Sequence, residues 1–264
     1  MSRATTTHTV GDQITALLTG FSLTTAAREM VSRFVHAEQH PALPVLLDVL
    51  QLEAQERHER RITRLRRASK LPPGKTFDTL DDGRFPPALV RRLHELADGD
   101  FLDEATNVLA FGLPGVGKSH AMCAVGHALV DRGHAVLFMP TYSLVQELLA
   151  AKRNLELPRA LRKLDQFAVL ILDDVGYIQQ SPEEAEILFT LLAERYERRS
   201  VFITSNLIFA HWDRIFRDQM ATAAAIDRLV HHSVLLEFDV VSFRTEHAKR
   251  RGRPPTRPPA DPTP

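Results

Sequence analysis

One cysteine in 264 residues, Cys123, is too few for an internal disulfide. With no second cysteine at ligand spacing it gives no zinc signal, and it reads as a buried small apolar residue. The chain also lacks any run approaching the roughly 18 to 20 apolar residues that a bilayer span needs. Its opening "MSRATTTHTVGDQ" has no apolar stretch of the secretion-signal kind, so a cytoplasmic protein with no membrane partner is expected. The 12 histidines show neither H-E-x-x-H nor another metal-ligand spacing, and His231 and His232 receive no role. Excess charge of one sign is missing too, with 33 Lys and Arg against 33 Asp and Glu.

What is present is enough hydrophobic residue, 44%, for a substantial core in one large or two small domains. The balanced charge is unevenly spread. Between Gln51 and Arg67 six arginines face three glutamates, and "KRRGRPPTR" near the C-terminus adds five basic residues with no acid. Two basic flanks suit nucleic acid phosphates, and they suit equally a solvated helix face and a solubilising tail.

From Ala26 to Arg67 apolar residues recur at helical spacing, as in Val45, Leu46, Val49, Leu50 and Leu52 and on to Ile62 and Leu65. Pro41 and Pro44 punctuate this region and "KLPPGK" at 70–75 ends it, so a domain boundary is expected there. Beyond it, short apolar runs alternate with helical stretches: "NVLAFG" at 107, "HAVLFM" at 134, "FAVLILDD" at 167, "SVFITSN" at 200 and "SVLLEF" at 233. Five strands buried on both faces and separated by helices predict a parallel α/β sheet.

The first strand runs into "GLPGVGKSH", which fits G-x-x-x-x-G-K-[ST] and opens an amphipathic helix stopped by Gly133. In that setting the loop N–H groups and the helix N-terminus aim at one point, where they neutralise phosphate charge. Gly112, Leu113, Pro114, Gly115, Val116, Gly117, Lys118, Ser119 and His120 are therefore the candidate ATP cradle. Lys118 is assigned to the β- and γ-phosphates and Ser119 to Mg²⁺. The plain alternative is a tight turn with an exposed lysine.

The third strand carries Asp173 and Asp174 to the same sheet edge. Asp173 fits the Mg²⁺-binding acid and Asp174 the group that orients the attacking water. The fourth leaves Asn206 there, an uncharged amide suited to placing water against the γ-phosphate. Without the loop upstream, adjacent aspartates would read as a solvated strand end or a helix cap, and Asn206 as a turn former.

The set "GLPGVGKSH", "VLILDDVGY", "ITSN" and "AIDRLVHHS", in this order and spacing, resembles the IstB family of insertion-sequence transposition helper ATPases. These are relatives of the DnaC helicase loaders in the AAA+ superfamily. The likeness covers most of the chain, includes "EAQERHERRITRLRRASKLPPGKTFDTL", and fades after about Ala248. It implies a P-loop NTPase (AAA+) fold, with a helical DNA- or partner-binding region over 1–70 and an ATPase domain over 71–248. A disordered basic tail would occupy 249–264. It also implies ATP and Mg²⁺ as cofactors, duplex DNA and an IstA-like transposase as partners, and an ATP-promoted homo-oligomeric ring or spiral.

Two residue roles rest on the resemblance alone. Arg228 matches the arginine finger that reaches a neighbouring subunit's ATP, and Arg244 in "SFRTEHA" matches a second sensing arginine. Where most AAA+ proteins follow the Mg²⁺ aspartate with glutamate this chain has Asp174, shorter by one methylene, so modest and DNA-stimulated hydrolysis is expected. The segment after "SVLLEF" is short for the usual helical lid.

Candidate DNA contacts are Arg57, Arg60, Arg61, Arg64 and Arg67 in the N-terminal region, and Lys152, Arg153, Arg159, Arg162 and Lys163 around the helix break at Pro158. A solvated helix face explains either set as well. Trp212 and Phe216, at i and i+4, read as helix packing rather than base stacking. The alternatives to a transposition helper are a loader of a replicative helicase and a nucleotide-binding scaffold that never hydrolyses ATP.

Overall fold

The computed structural model describes residues 2–176, 181–208, 211–212, 215 and 219–240. The chain divides into two compact units, Met1–Arg64 and Leu65–Pro264. The expectations for Phe216, Arg244, a lid and the 249–264 tail lie outside the described residues.

The first unit is built on α1 (Ser2–Gly20), α2 (Thr24–His36) and the part of α3 (Leu43–Ala68) up to Arg64. Helix therefore extends well upstream of Ala26, where periodicity in the sequence is weak. The reason is packing: Ile14 and Leu18, one turn apart on α1, bury against Leu43 and Leu47, with Met30 and Phe34 of α2 against the same cluster. Of the apolar residues on α3, Leu47 faces this core, whereas Val45, Val49 and Leu52 are exposed.

In the second unit, α4 (Pro87–Asp98) precedes a sheet of β1 (Asn107–Gly112), β2 (Val136–Pro140), β3 (Val169–Val175), β4 (Ser200–Ser205) and β5 (Ser233–Phe238). All pairings are parallel and the order is β2-β3-β4-β1-β5. The crossovers contain α5 (Lys118–Asp131), α6 (Thr141–Arg153), α7 (Leu157–Leu164), α8 (Pro182–Arg195) and α9 (Gln219–Val230). Pro158 sits in the first turn of α7, where its missing N–H costs nothing. Ser181 and Glu184 close a capping box that starts α8.

Strand alternation sorts the core into two layers, because successive side chains leave opposite faces. Val108, Ala110, Val136, Phe138, Val169, Ile171 and Phe202 pack with Met122, Val125 and Leu129 of α5 and Leu89 and Leu93 of α4. Their neighbours Leu109, Phe111, Leu137, Leu170, Leu172, Val201 and Ile203 pack on the other face with Leu144 and Leu148 of α6, Leu188 and Leu191 of α8 and Leu229 of α9. Each buried Val, Leu, Ile, Phe or Met side chain among them, taken from water, contributes roughly 1.5–3 kcal/mol. Coverage on both faces is why the strands read as unbroken apolar runs. Cys123 is fully buried, and burial pushes its thiol up to about 12, so it stays an inert core residue.

Candidate active site

The strand ends meet at the carboxyl edge of the sheet. There β1 turns at Gly112 (φ +151°), where an added Cβ would lie 2.5 Å from the Phe238 carbonyl oxygen of β5. At the far end of the loop Gly117 takes φ +100° immediately before α5 begins at Lys118. Both positions exclude an ordinary L side chain, and the loop between them is free to turn its backbone inward.

Lys118 is only 5% exposed. A buried ammonium has three donors to satisfy. Its Nζ donates to Gly112 O at 2.6 Å, to Leu113 O at 2.8 Å and to Asn206 Oδ1 at 2.8 Å. The last bond crosses from the start of α5 to the residue that follows β4, and it forms because β1, which leads into the loop before α5, pairs with β4. The structure thus brings together Lys118 and Asn206, which lie 88 positions apart.

The two aspartates are separated by a local irregularity. Pairing of β3 with β4 shifts between Leu172 and Val175, and Asp174 adopts φ +59°. Asp tolerates this left-handed conformation better than most residues, and the effect of the shift is to turn Asp174 out of the ladder into solvent. Thr204 on β4 holds both residues: its hydroxyl donates to Asp173 Oδ1 at 2.7 Å and accepts from the Asp174 N–H at 2.9 Å. Thr141, at the start of α6, donates to Asp173 O at 2.8 Å. The sequence reading missed Thr204. Its signal was a polar residue inside the apolar strand "SVFITSN", fully buried here.

A cleft of about 320 Å³ lies over these groups, lined by Pro114, Gly115, Gly117, Lys118, Ser119, His120, Asp174 and Asn206. Its remaining wall is Lys75, Thr79, Leu80 and Asp81, from the segment at and after the boundary expected at 70–75, which received no site role in the sequence. That wall is tied to the loop through His120, whose Nε2 lies 3.1 Å from both Thr76 O and Thr79 Oγ1. Burial holds the His120 imidazole below its ordinary value, outweighing the Thr76 hydrogen bond, so it is neutral at physiological pH. The segment is shaped by Thr76 and Thr79, which cap a single 3₁₀ turn reciprocally.

Arg228 does not line this cleft. Its guanidinium carbon lies 4.8 Å from the centroid of the Phe189 ring on α8, and its Nη1 is buried with no hydrogen-bond partner among the described residues. The arginines of α3 are exposed. Arg57 pairs with Glu53 and rests 4.3 Å above the Phe21 ring, and Arg60 pairs with Glu56 at 2.7 Å. Around the α6–α7 break, Lys152 pairs with Glu186 at 3.0 Å and Arg159 with Glu156 at 3.5 Å, while Arg153, Arg162 and Lys163 are exposed. Trp212 is fully buried and donates its indole N–H to Leu207 O at 3.0 Å, a packing role.

The cleft's donor set is suited to a nucleotide triphosphate, with a backbone loop, a lysine, a hydroxyl and two carboxylates at one sheet edge. Comparison with known proteins agrees. The family model described as IstB-like ATP binding protein matches residues 15–251. An insertion sequence ATP-binding protein of Sinorhizobium fredii is 43% identical over 222 residues, covering 82% of this chain and 74% of that protein. The insertion sequence IS21 ATP-binding protein of Pseudomonas aeruginosa is 40% identical over 204 residues, covering 77% of each. Among solved structures, DnaI aligns with TM-score 0.54 at 20% identity over 64% of this chain and 95% of that one. AMPPCP-bound DnaA of Aquifex aeolicus aligns with TM-score 0.55 at 17% identity over 69% of this chain and 56% of that one. At such identities the likeness is one of fold, that of the AAA+ P-loop NTPases. By sequence and architecture together, the chain belongs to the IstB-like ATP binding protein family.

Proposed function

We propose that this protein is a Mg²⁺-dependent ATPase that assembles on duplex DNA and assists a transposase in engaging its target, with hydrolysis controlling assembly. The observation that supports it most is the convergence of Lys118, Asp174, Asn206 and the glycine loop on one cleft.

The loop N–H groups and the N-terminus of α5 receive the phosphates, whose oxygens are stronger acceptors for Lys118 than the carbonyls of Gly112 and Leu113. Ser119 and Asp173 would hold Mg²⁺, which when bound supplies neutralisation of the charge on the phosphate oxygens. Thr204 keeps Asp173 oriented for that task. Asp174, turned outward by the strand irregularity, orients the attacking water and accepts its proton. Asn206, which lines the same cleft, would be released to place water against the terminal phosphate once Lys118 gives up its amide oxygen for phosphate. The short Asp174 side chain positions water less closely than glutamate would, which favours slow turnover.

Arg228 serves a neighbouring subunit's site, a reading supported by its absence from its own cleft. The transposase partnership and DNA binding rest on the family, whose members include the insertion sequence proteins above. Exposed arginines on α3 and the cations around α6 and α7 are the proposed phosphate contacts.

Titrating ATP into Lys118→Ala and Asp174→Ala, then following phosphate release with and without DNA, tests the core of this reading. Lys118→Ala should lose binding, whereas Asp174→Ala should bind normally and lose turnover by a factor on the order of 10² or more. Undiminished affinity in Lys118→Ala would overturn the phosphate-cradle assignment, and undiminished turnover in Asp174→Ala would overturn its role.

A further inference from the structure

Glu197, His231 and His232 share no pattern in the sequence, yet the fold sets one donor atom of each within 4.8 Å of the others. Glu197 lies between α8 and β4, and the two histidines lie between α9 and β5. Both turns lead into strand starts, so the cluster occupies the sheet edge opposite the nucleotide cleft. Glu197 Oε1 is 3.8 Å from His231 Nδ1 and 4.0 Å from His232 Nε2. The imidazoles meet edge to face, with centroids 4.3 Å apart. Each of the three side chains is about half exposed, at 50 to 54%.

The backbone that presents them is pinned. His231 N–H donates to Asp227 O at 3.0 Å, and His232 O accepts from the Asn107 N–H at 2.7 Å. Asn107 also donates through Nδ2 to Leu229 O at 3.2 Å. Glu197 is held in the left-handed region at φ +54°, an uncommon conformation for glutamate that projects its side chain from a tight turn. The Tyr196 hydroxyl stands 3.1 Å from His231 Nδ1, the same atom that faces Glu197.

Ion pairing alone satisfies this group poorly. Two adjacent imidazolium charges repel, and one carboxylate oxygen faces both rings. A single divalent ion engages all three donors with both imidazoles neutral. We propose that Glu197, His231 and His232 form a binding site for a transition-metal ion of the Zn²⁺ class.

Two nitrogens and one carboxylate oxygen are a donor set that Zn²⁺ takes with bonds of roughly 2.0–2.2 Å, the fourth position being left to water. Tetrahedral donors then sit roughly 3.3–3.5 Å apart, so donors now within 4.8 Å of one another must approach by up to about 1.5 Å, a movement that side-chain rotation supplies. The Tyr196 hydroxyl also hydrogen-bonds Glu197, and metal binding would displace its contact with His231 Nδ1. Mg²⁺ is not the ion, since it takes oxygen donors and keeps its waters.

Such an ion joins the turn after α8 to the turn after α9. Arg228 lies three residues before His231, over the Phe189 ring of α8, so the same pair of helices is clamped.

The test uses the full chain, stripped with a chelator and kept free of ATP and Mg²⁺. Zn²⁺ is titrated in competition with a chromophoric chelator, and Co²⁺ serves as a spectroscopic stand-in. One Zn²⁺ per chain at micromolar concentration, with a visible Co²⁺ spectrum, is expected in the wild type. Binding should weaken by at least about tenfold in Glu197→Gln and in the doubly substituted His231→Ala/His232→Ala. Zn²⁺ should raise the thermal midpoint of the wild type and not of the variants, each measured against its own chelated form. A lower midpoint in a chelated variant thus does not confuse the comparison. No stoichiometric uptake, or uptake that the double substitution leaves unchanged, would overturn the site.

Discussion

Arg195 shows how much a single buried side chain can organise away from the chemistry. It is 2% exposed, and its guanidinium donates to Leu164 O at 3.0 Å, Phe167 O at 2.9 Å and Ser200 O at 3.0 Å. These carbonyls belong to the end of α7, the approach to β3 and the start of β4. Burial lowers its pKa to about 10, which leaves it charged at neutral pH. The planar fork matters as much as the charge, because one ammonium cannot reach carbonyls spread around two nitrogens. Arg195→Lys is expected to cost about 3 kcal/mol, the scale of leaving buried acceptors unpaired. Urea denaturation should show a lower midpoint with an unchanged slope, and ATP affinity at the opposite edge should hold.

Helix α3 makes a prediction at the scale of one element. Five exposed arginines on it are proposed to meet DNA phosphates, but they are not equivalent. Arg57 and Arg60 face Glu53 and Glu56 one turn away, and solvent screens exposed pairs of this kind so that they hold the arginines only weakly. Those pairs must still be broken or shared before a phosphate is neutralised. Arg64 and Arg67 make no ion pair among the described residues. Each phosphate contact contributes about −0.9 to the slope of log K against log salt. Replacing Arg64 and Arg67 with Ala should therefore flatten the slope by nearly 2 if both touch phosphate. Replacing Arg57 and Arg60 should flatten it less. Equal slopes in wild type and both variants would leave α3 a solvated helix.

For the molecule as a whole the question is whether one chain holds a complete site. Arg228 rests on Phe189 and does not line the cleft that holds Lys118, so its proposed action on ATP would be on a second subunit's nucleotide. Arg228→Ala should bind ATP almost normally and hydrolyse it poorly, because its charge matters where the transferred phosphoryl group develops charge. Mixed with Lys118→Ala it should recover part of the activity, since an interface can pair an intact loop from one chain with an intact arginine from the other. Differently tagged chains that co-purify but show no turnover beyond the summed backgrounds would place Arg228 in its own subunit or in the fold alone.

Part of the candidate nucleotide site is legible in the sequence because the loop is contiguous. Nine consecutive residues make the loop and the first turn of α5, and the shared direction of parallel strands carries Asp173, Asp174 and Asn206 to the carboxyl edge where that loop lies. The five strands were readable for the same local reason, being buried on both faces and therefore uniformly apolar. Other features depend on which strands and turns become neighbours. Thr204 reaches Asp173 across 31 positions, Lys118 reaches Asn206 across 88, and Thr79 reaches His120 across 41. The cleft wall at Lys75 to Asp81, the carbonyl set around Arg195 and the meeting of Glu197 with His231 and His232 are of this kind. Local pattern follows from propensity and periodicity along one segment, whereas these contacts exist only once the strand order β2-β3-β4-β1-β5 has brought distant segments within hydrogen-bond reach.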